Sequence, residues 1–178
     1  KLMRFFFIQL ILLVFFSSGI SQEILTLKSR AEIIDKIQKD RLDNLLPKLM
    51  SKSNIDIWVL IAREYNEDPV IKTLLPATWL NARRRTILVF SWDKETNVVE
   101  RVAITRYPFG KLIPSIWDKE KEPDQWKALA DYIISKNPNK IGVNISEHFA
   151  LADGLVKTDY DGLKNALPEN YQTKIVSA

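Results

Sequence analysis

Hydrophobic residues recur at steps of three and four between Ser29 and Ser51, which predicts an amphipathic helix over this segment. Ser29, with Glu32 three residues later, matches a capping box and predicts where the helix starts. Pro47 lies inside the periodic pattern. Because proline lacks a backbone N–H and its ring collides with the preceding turn, it should kink or divide this helix.

The rest of the chain alternates between apolar runs and helical patterns. Five apolar runs predict strands: 55–61, 86–90, 98–105, 140–145 and 172–176. Helical patterns predict a short helix starting at Glu67–Pro69, a helix over Asp124–Lys136, and a helix capped by Thr158 and Asp161 that ends at Leu167. Turn residues at 93–97 make the second and third strands an antiparallel hairpin. The fold class is therefore predicted as α/β, with a mixed β-sheet flanked by helices.

The start of the chain has the layout of a secretory signal peptide. The basic segment Lys1–Arg4 precedes the apolar run Phe5–Phe16, and small residues follow before Gln22. This run has 12 residues, whereas a membrane-spanning helix needs about 20. The sequence predicts a signal peptide over 1–21, one domain over 22–178, a secreted or periplasmic location, and no stable membrane anchor.

Composition excludes several kinds of site. The 178-residue chain has no cysteine and a single histidine, His148. A disulfide scaffold, a thiolate metal site, a cysteine nucleophile and any site with two imidazoles are therefore excluded. The first 21 residues hold two of the 26 basic and none of the 22 acidic residues. The remaining charge is nearly balanced, which gives no general reason to expect nucleic acid as a partner.

One dense basic cluster, Arg83-Arg84-Arg85, stands out, and Trp79 is close to it in sequence. Arginine binds carboxylates and phosphates through two parallel charge-assisted hydrogen bonds, and it is also common at interfaces. Three arginines are too few to indicate nucleic acid. We take Trp79, Arg83 and Arg84 as candidate interface or substrate-entrance residues, while Arg85 leads into the following strand. A solvated surface, an interface and a carboxylate contact all remain open.

The other polar candidates have simpler interpretations. His148 follows a predicted strand end, but no nucleophile or second ligand accompanies it, so we interpret it as a loop residue rather than the centre of a hydrolase site. Asp159 and Asp161 fall in the first turn of a predicted helix, where the helix dipole favours acids. Asn144–Ser146 matches a glycosylation sequon at the end of a predicted buried strand, and we interpret it as a chance match.

Two long runs carry a resemblance to a known family: Trp58–Pro69 (WVLIAREYNEDP) and Pro76–Thr86 (PATWLNARRRT). They resemble secreted bacterial members of the Xaa-Pro aminopeptidase, prolidase and creatinase family. Three later segments agree with the same subgroup: Asp124–Trp126, Lys140–Asn144 and Phe149–Leu155. The resemblance covers essentially all of Ile33 to Ala178.

In that family the amino-terminal domain is an α/β unit that resembles ribonuclease H in fold but lacks its catalytic carboxylates. The chemistry belongs to a following "pita-bread" domain, where two Asp, one His and two Glu hold two divalent metal ions (manganese, zinc or cobalt) that activate a bridging water. The resemblance carries none of these ligands onto a residue of this chain. It therefore implies no catalytic, cofactor-binding or metal-binding residues here.

The resemblance implies the non-catalytic amino-terminal domain of a secreted, metal-dependent Xaa-Pro aminopeptidase or dipeptidase, which packs against a subunit or domain and borders the substrate path. The sequence stops on the apolar run Ile175–Ala178, so we expect a fragment. Expected partners are the C-terminal catalytic domain, further copies in a homo-oligomer, and proline-containing peptides as substrates of the whole enzyme. The alternative is a free-standing secreted binding module without a catalytic domain.

Overall fold

A computed structural model describes residues 24–178, of which residues 31–178 form one compact unit. The predicted signal peptide lies outside the described residues. The helices are α1 (Leu27–Asp40), α2 (Leu46–Ser53), α3 (Gln125–Lys136), α4 (Lys157–Ala166) and α5 (Glu169–Gln172). The strands are β1 (Ile57–Arg63), β2 (Arg85–Asp93), β3 (Val98–Ala103), β4 (Ile141–Val143) and β5 (Ile175–Ser177). Two 3-10 helices cover Pro69–Thr73 and Ala150–Ala152.

The five strands form one mixed sheet in the order β3-β2-β1-β4-β5. β2 is antiparallel to β1 and β3, whereas β4 is parallel to β1 and β5. Side chains alternate between the two faces of a strand. In β1, Val59 packs into a core shared with α3 and α4, and Leu60 packs into a second core shared with α2. The predicted α/β class with a mixed sheet, including the β2–β3 hairpin, is confirmed.

Pro47 divides the first helical stretch, as the sequence predicts. A π-helical segment, Arg41–Leu45, separates α1 from α2, and the backbone N–H of Leu46 donates to the carbonyl of Arg41. Pro47 lies in the first turn of α2 and is buried. The proline ring and its missing N–H disturb regular α-helical bonding. Just before the proline, the backbone hydrogen bonds therefore span five residues instead of four.

Two predicted helix starts are wrong. α1 begins at Leu27, where the Thr26 hydroxyl accepts from the backbone N–H of Ser29 at 3.2 Å, so Ser29 lies inside the helix. α4 begins at Lys157 without a side-chain cap, so the predicted cap by Thr158 and Asp161 does not form. In both cases the pattern of cap residue types recurs within a few positions, and the first helical residue decides which side chain can reach a free N–H.

Two other starts are confirmed. The Asp124 carboxylate accepts from the N–H of Trp126 at 2.8 Å and caps α3. The Asp68 carboxylate accepts from the N–H of Val70 at 2.8 Å, and Pro69 follows in the first turn of the 3-10 helix. Across residues 24–178, none of the helices is both long enough and apolar enough to cross a membrane.

Candidate functional site

Strand directions bring the candidate residues to one edge of the sheet. β1 ends at Arg63, and β2 begins directly opposite it at Arg85. β4 runs parallel to β1, so the residue that follows it, Asn144, faces the same edge. The chain between β1 and β2, which contains Trp79 and Arg83, must therefore also return to this edge.

A cleft of about 560 Å³ opens here. All three sequence-predicted residues, Trp79, Arg83 and Arg84, line it. Arg85, the third arginine of the cluster, also lines the cleft. The structure adds residues that the sequence did not single out, from the end of β1, the start of α3 and the segment after β3: Glu64, Arg106, Tyr107, Phe109, Trp117 and Gln125. Among the described residues that line the cleft, four are arginines and one, Glu64, is acidic.

Aromatic rings hold Arg83 in place. The Arg83 guanidinium carbon lies 4.4 Å from the centre of the Trp79 ring, which is a cation–π arrangement. Trp79 in turn meets the buried ring of Phe109 edge-on, with the ring centres 5.1 Å apart. Because the indole is fixed from behind, Arg83 loses rotamer freedom before any ligand binds. This favours ligand binding, because a flexible arginine would lose side-chain entropy when a ligand orders it.

The turn before β2 is fixed by Glu64. Arg84 has a φ of 49°, in the left-handed region that residues with a side chain seldom adopt. The Glu64 carboxylate accepts from the Arg84 N–H at 3.1 Å, and the Glu64 N–H donates to the Arg84 carbonyl at 2.6 Å. Glu64 therefore orders the backbone that presents Arg83 and Arg84.

Asp159 anchors the third arginine of the cluster. This carboxylate is 1% exposed and accepts from Arg63 Nε and Nη2 at 2.8 and 2.7 Å. Arg85 Nε lies 3.2 Å from Asp159 Oδ1, and the Arg85 guanidinium lies 4.5 Å from the centre of the Trp126 ring. Hydrogen bonding to Asp159 raises the pKa of Arg63. Asp159 lies in the first turn of α4, as the sequence predicts, but it also pairs with two partly exposed arginines, so the helix dipole alone does not account for it.

A second buried carboxylate lies beside β4. Asp68 is 1% exposed, and its Oδ2 accepts from Asn144 Nδ2 at 2.9 Å, while Asn144 Oδ1 accepts from Trp58 Nε1 at 2.7 Å. Burial raises the pKa of Asp68, although these hydrogen bonds oppose the shift. Gly154 passes so close that a Cβ there would lie 2.3 Å from the Asp68 carboxyl carbon. The buried amide of Asn144 agrees with the interpretation of its sequon as a chance match.

Three of the four cleft arginines form no ion pair with the residues described here. Within residues 24–178, the side chains of Arg83, Arg84 and Arg106 have no carboxylate within 4.0 Å, whereas Arg85 shares Asp159 with Arg63. All three unpaired arginines are exposed. Their mutual repulsion is relieved by an anion, so the chemistry available here is the binding of oxyanions.

The structure brings no further group to His148. It lies on an exposed loop, where its N–H donates to the Ser146 hydroxyl at 3.3 Å. In the described part of the chain, no three His, Cys, Asp or Glu side chains lie close enough together to hold a metal ion.

Comparison with protein-family models, with curated proteins and with solved structures finds no match to this chain.

Proposed function

We propose that this chain is the non-catalytic amino-terminal domain of a secreted, metal-dependent Xaa-Pro aminopeptidase or dipeptidase. In this role the domain packs against a catalytic domain or a second subunit, and its arginine cleft borders the path to the substrate. The two divalent metal ions (manganese, zinc or cobalt) would be held by the catalytic domain, as the family resemblance implies.

One observation carries the proposal. The two runs that resemble the family, Trp58–Pro69 and Pro76–Thr86, are joined by the paired hydrogen bonds of Glu64 and Arg84 and border the same cleft. Lys140–Asn144 and Phe149–Leu155 meet the first run at Asp68. Residues that carry the resemblance thus converge at one edge of the sheet.

The fold is compatible with the same proposal. Three antiparallel strands followed by two parallel strands, with helices packed on both faces, agree with the ribonuclease H-like unit that the resemblance implies. The fold class alone does not assign a function, since one fold serves many activities.

The alternative is a free-standing secreted binding module. It is favoured by a different observation: the cleft is already formed in this domain, with Arg83 stacked on Trp79 and the turn at Arg84 held by Glu64. Such a module would act without a catalytic domain. Under the leading proposal, DNA sequencing beyond the codon for Ala178 should reveal an open frame encoding two Asp, one His and two Glu in a metal-binding domain, whereas a stop codon there would favour the module.

Kinetics of the whole enzyme test the role of the cleft. Arg83→Lys and Arg84→Lys should each raise KM for short Xaa-Pro peptides, or weaken the oligomer, because lysine cannot form two parallel hydrogen bonds with a carboxylate. Bound metal should stay unchanged. Arg41→Lys, at an exposed position away from the cleft, is the matched control.

Two results would contradict the proposal. Unchanged KM and unchanged oligomer mass in both cleft variants would reduce the cluster to solvated surface. Hydrolysis of Xaa-Pro peptides by this 178-residue chain alone with added manganese, lost on His148→Ala, would make the domain itself catalytic.

A further inference from the structure

The cleft at this edge of the sheet has an excess of positive charge. Four arginines line the cleft, and the only acidic lining residue among those described, Glu64, is engaged with the backbone of Arg84. Arg83, Arg84 and Arg106 are exposed and partly screened by water, but all four arginines line the same cleft, so their positive charges act on one small volume. The cleft therefore has an uncompensated positive potential.

We propose that this cleft is an oxyanion-binding site of the domain itself. Its ligand is a small molecule or peptide end that carries two or more oxyanion groups, either carboxylates or phosphates. This inference does not rest on the proposed peptidase role, because every residue that carries it belongs to this chain.

The arginines are ordered for binding. Arg83 lies against the Trp79 ring, and Arg85 lies against the Trp126 ring with its Nε side at Asp159. No hydrogen bond involves the two terminal nitrogens of Arg85 within residues 24–178, so they remain available to a ligand. Two guanidinium groups stacked in this way can bind an anion with little further loss of side-chain entropy.

The size and lining of the cleft limit the ligand. A volume of about 560 Å³ lies within the range of about 300–1,000 Å³ that is usual for small-molecule pockets. Tyr107 and Trp117 add aromatic surface beside the arginines, and Tyr107 is 56% exposed. A single monovalent anion would leave most of the positive charge unpaired, so a polyvalent ligand should bind best.

Isothermal titration of the 178-residue chain with citrate, pyrophosphate and acetate at low ionic strength tests the proposal. We expect citrate or pyrophosphate, or both, to bind at least about tenfold more tightly than acetate, because more charge-assisted bonds form. Binding of citrate alone assigns carboxylates as the natural source, and binding of pyrophosphate alone assigns phosphates. Comparable binding of both assigns a general site for polyvalent oxyanions.

Arg83→Gln and Arg106→Gln should each weaken this binding by about tenfold. Both positions are exposed, so the variants should keep the fold, which circular dichroism checks. Arg83→Lys provides a second variant that retains the charge and loses the planar guanidinium, and it should weaken binding less than Arg83→Gln. Arg41→Gln removes the same charge from a helical surface outside the cleft and should leave the affinity unchanged.

Three outcomes would overturn the proposal: no saturable binding of either polyvalent probe at about 10 mM, unchanged affinity in both cleft variants, or an equal loss in Arg41→Gln, which would indicate non-specific charge attraction. None of these outcomes depends on peptidase activity. Failure here would therefore leave the kinetic test of the proposed function standing.

Discussion

Asp159 and Asp68 are both 1% exposed and lie near the same edge of the sheet, but their surroundings differ. Asp159 is bracketed by the guanidinium groups of Arg63 and Arg85. Asp68 is held by neutral donors, the N–H of Val70 and the amide of Asn144. Among the described residues, Asp68 has no basic group within ion-pair distance.

The difference shows how the sheet register decides where a buried charge is tolerated. β1 and β2 place Arg63 directly opposite Arg85, and like charges across a strand pair repel each other. The Asp159 carboxylate from α4 offsets one of these two positive charges and links the helix to the sheet. Within residues 24–178 no basic group pairs with Asp68, so burial acts on it without a compensating charge and raises its pKa.

The largest effect is expected at Asp159. Asp159→Asn keeps the shape of the side chain but removes the charge shared by Arg63 and Arg85. Breaking a buried ion pair usually costs about 3–5 kcal/mol, but Arg63 is 38% exposed and can be hydrated, so we expect the free energy of unfolding to fall by about 2 kcal/mol. Urea denaturation followed by tryptophan fluorescence measures this loss.

Asp131→Asn is the matched control for that variant. Asp131 also lies on a helix and pairs with a basic side chain, Lys127, but both side chains are more than half exposed. Its substitution should change the free energy of unfolding by less than about 0.5 kcal/mol. Equal losses in the two variants would mean that Asp159 contributes no more than a surface ion pair.

The second effect concerns the pH dependence that Asp68 gives to stability. Its pKa is raised in the folded state, whereas in the unfolded chain it is about 3.9. Between these two pKa values the folded state binds more protons, so the free energy of unfolding should decrease as the pH rises through this window and level off above it. Asp68→Asn should remove this decrease and lose about 1 kcal/mol through the altered hydrogen bond to Asn144.

Urea titrations at several pH values from 4 upward are made on the wild-type chain and on Asp68→Asn. They separate the pH-dependent effect of Asp68 ionisation from the loss of its hydrogen bond. The difference between the two curves should change with pH only in the window where Asp68 titrates. Parallel curves would show that Asp68 has the same proton affinity in the folded and unfolded states, which would contradict the raised pKa.

Much of the fold could be predicted because local patterns and packing agree. The continuous apolar runs of β1 and β2 and the turn between β2 and β3 predict the strands and the hairpin that the structure shows. The proline break after α1 was also predictable, since it depends on the backbone chemistry of one residue. The start of α4 was not, because several polar residues near it are equally suited to capping.

The candidate site was predictable only where its residues are neighbours in sequence. Trp79, Arg83 and Arg84 formed a visible cluster, but Arg106 reaches the cleft through the course of the chain after β3. One missed signal was available in the sequence. Pairing the two predicted strands antiparallel can set Arg63 against Arg85, and such a pair requires a nearby anion.

The smallest effect separates two aspartates that look equivalent in the sequence. Asp161 lies two residues after Asp159 on α4, but it pairs with Lys157, whose side chain is 79% exposed. Asp161→Asn should therefore change the free energy of unfolding by only about 0.3 kcal/mol, since an exposed pair four residues apart on a helix is screened by water. The same urea titration used for Asp159→Asn measures it. A loss as large as that of Asp159→Asn would show that the exposed Lys157–Asp161 pair stabilises the fold as much as the buried carboxylate does.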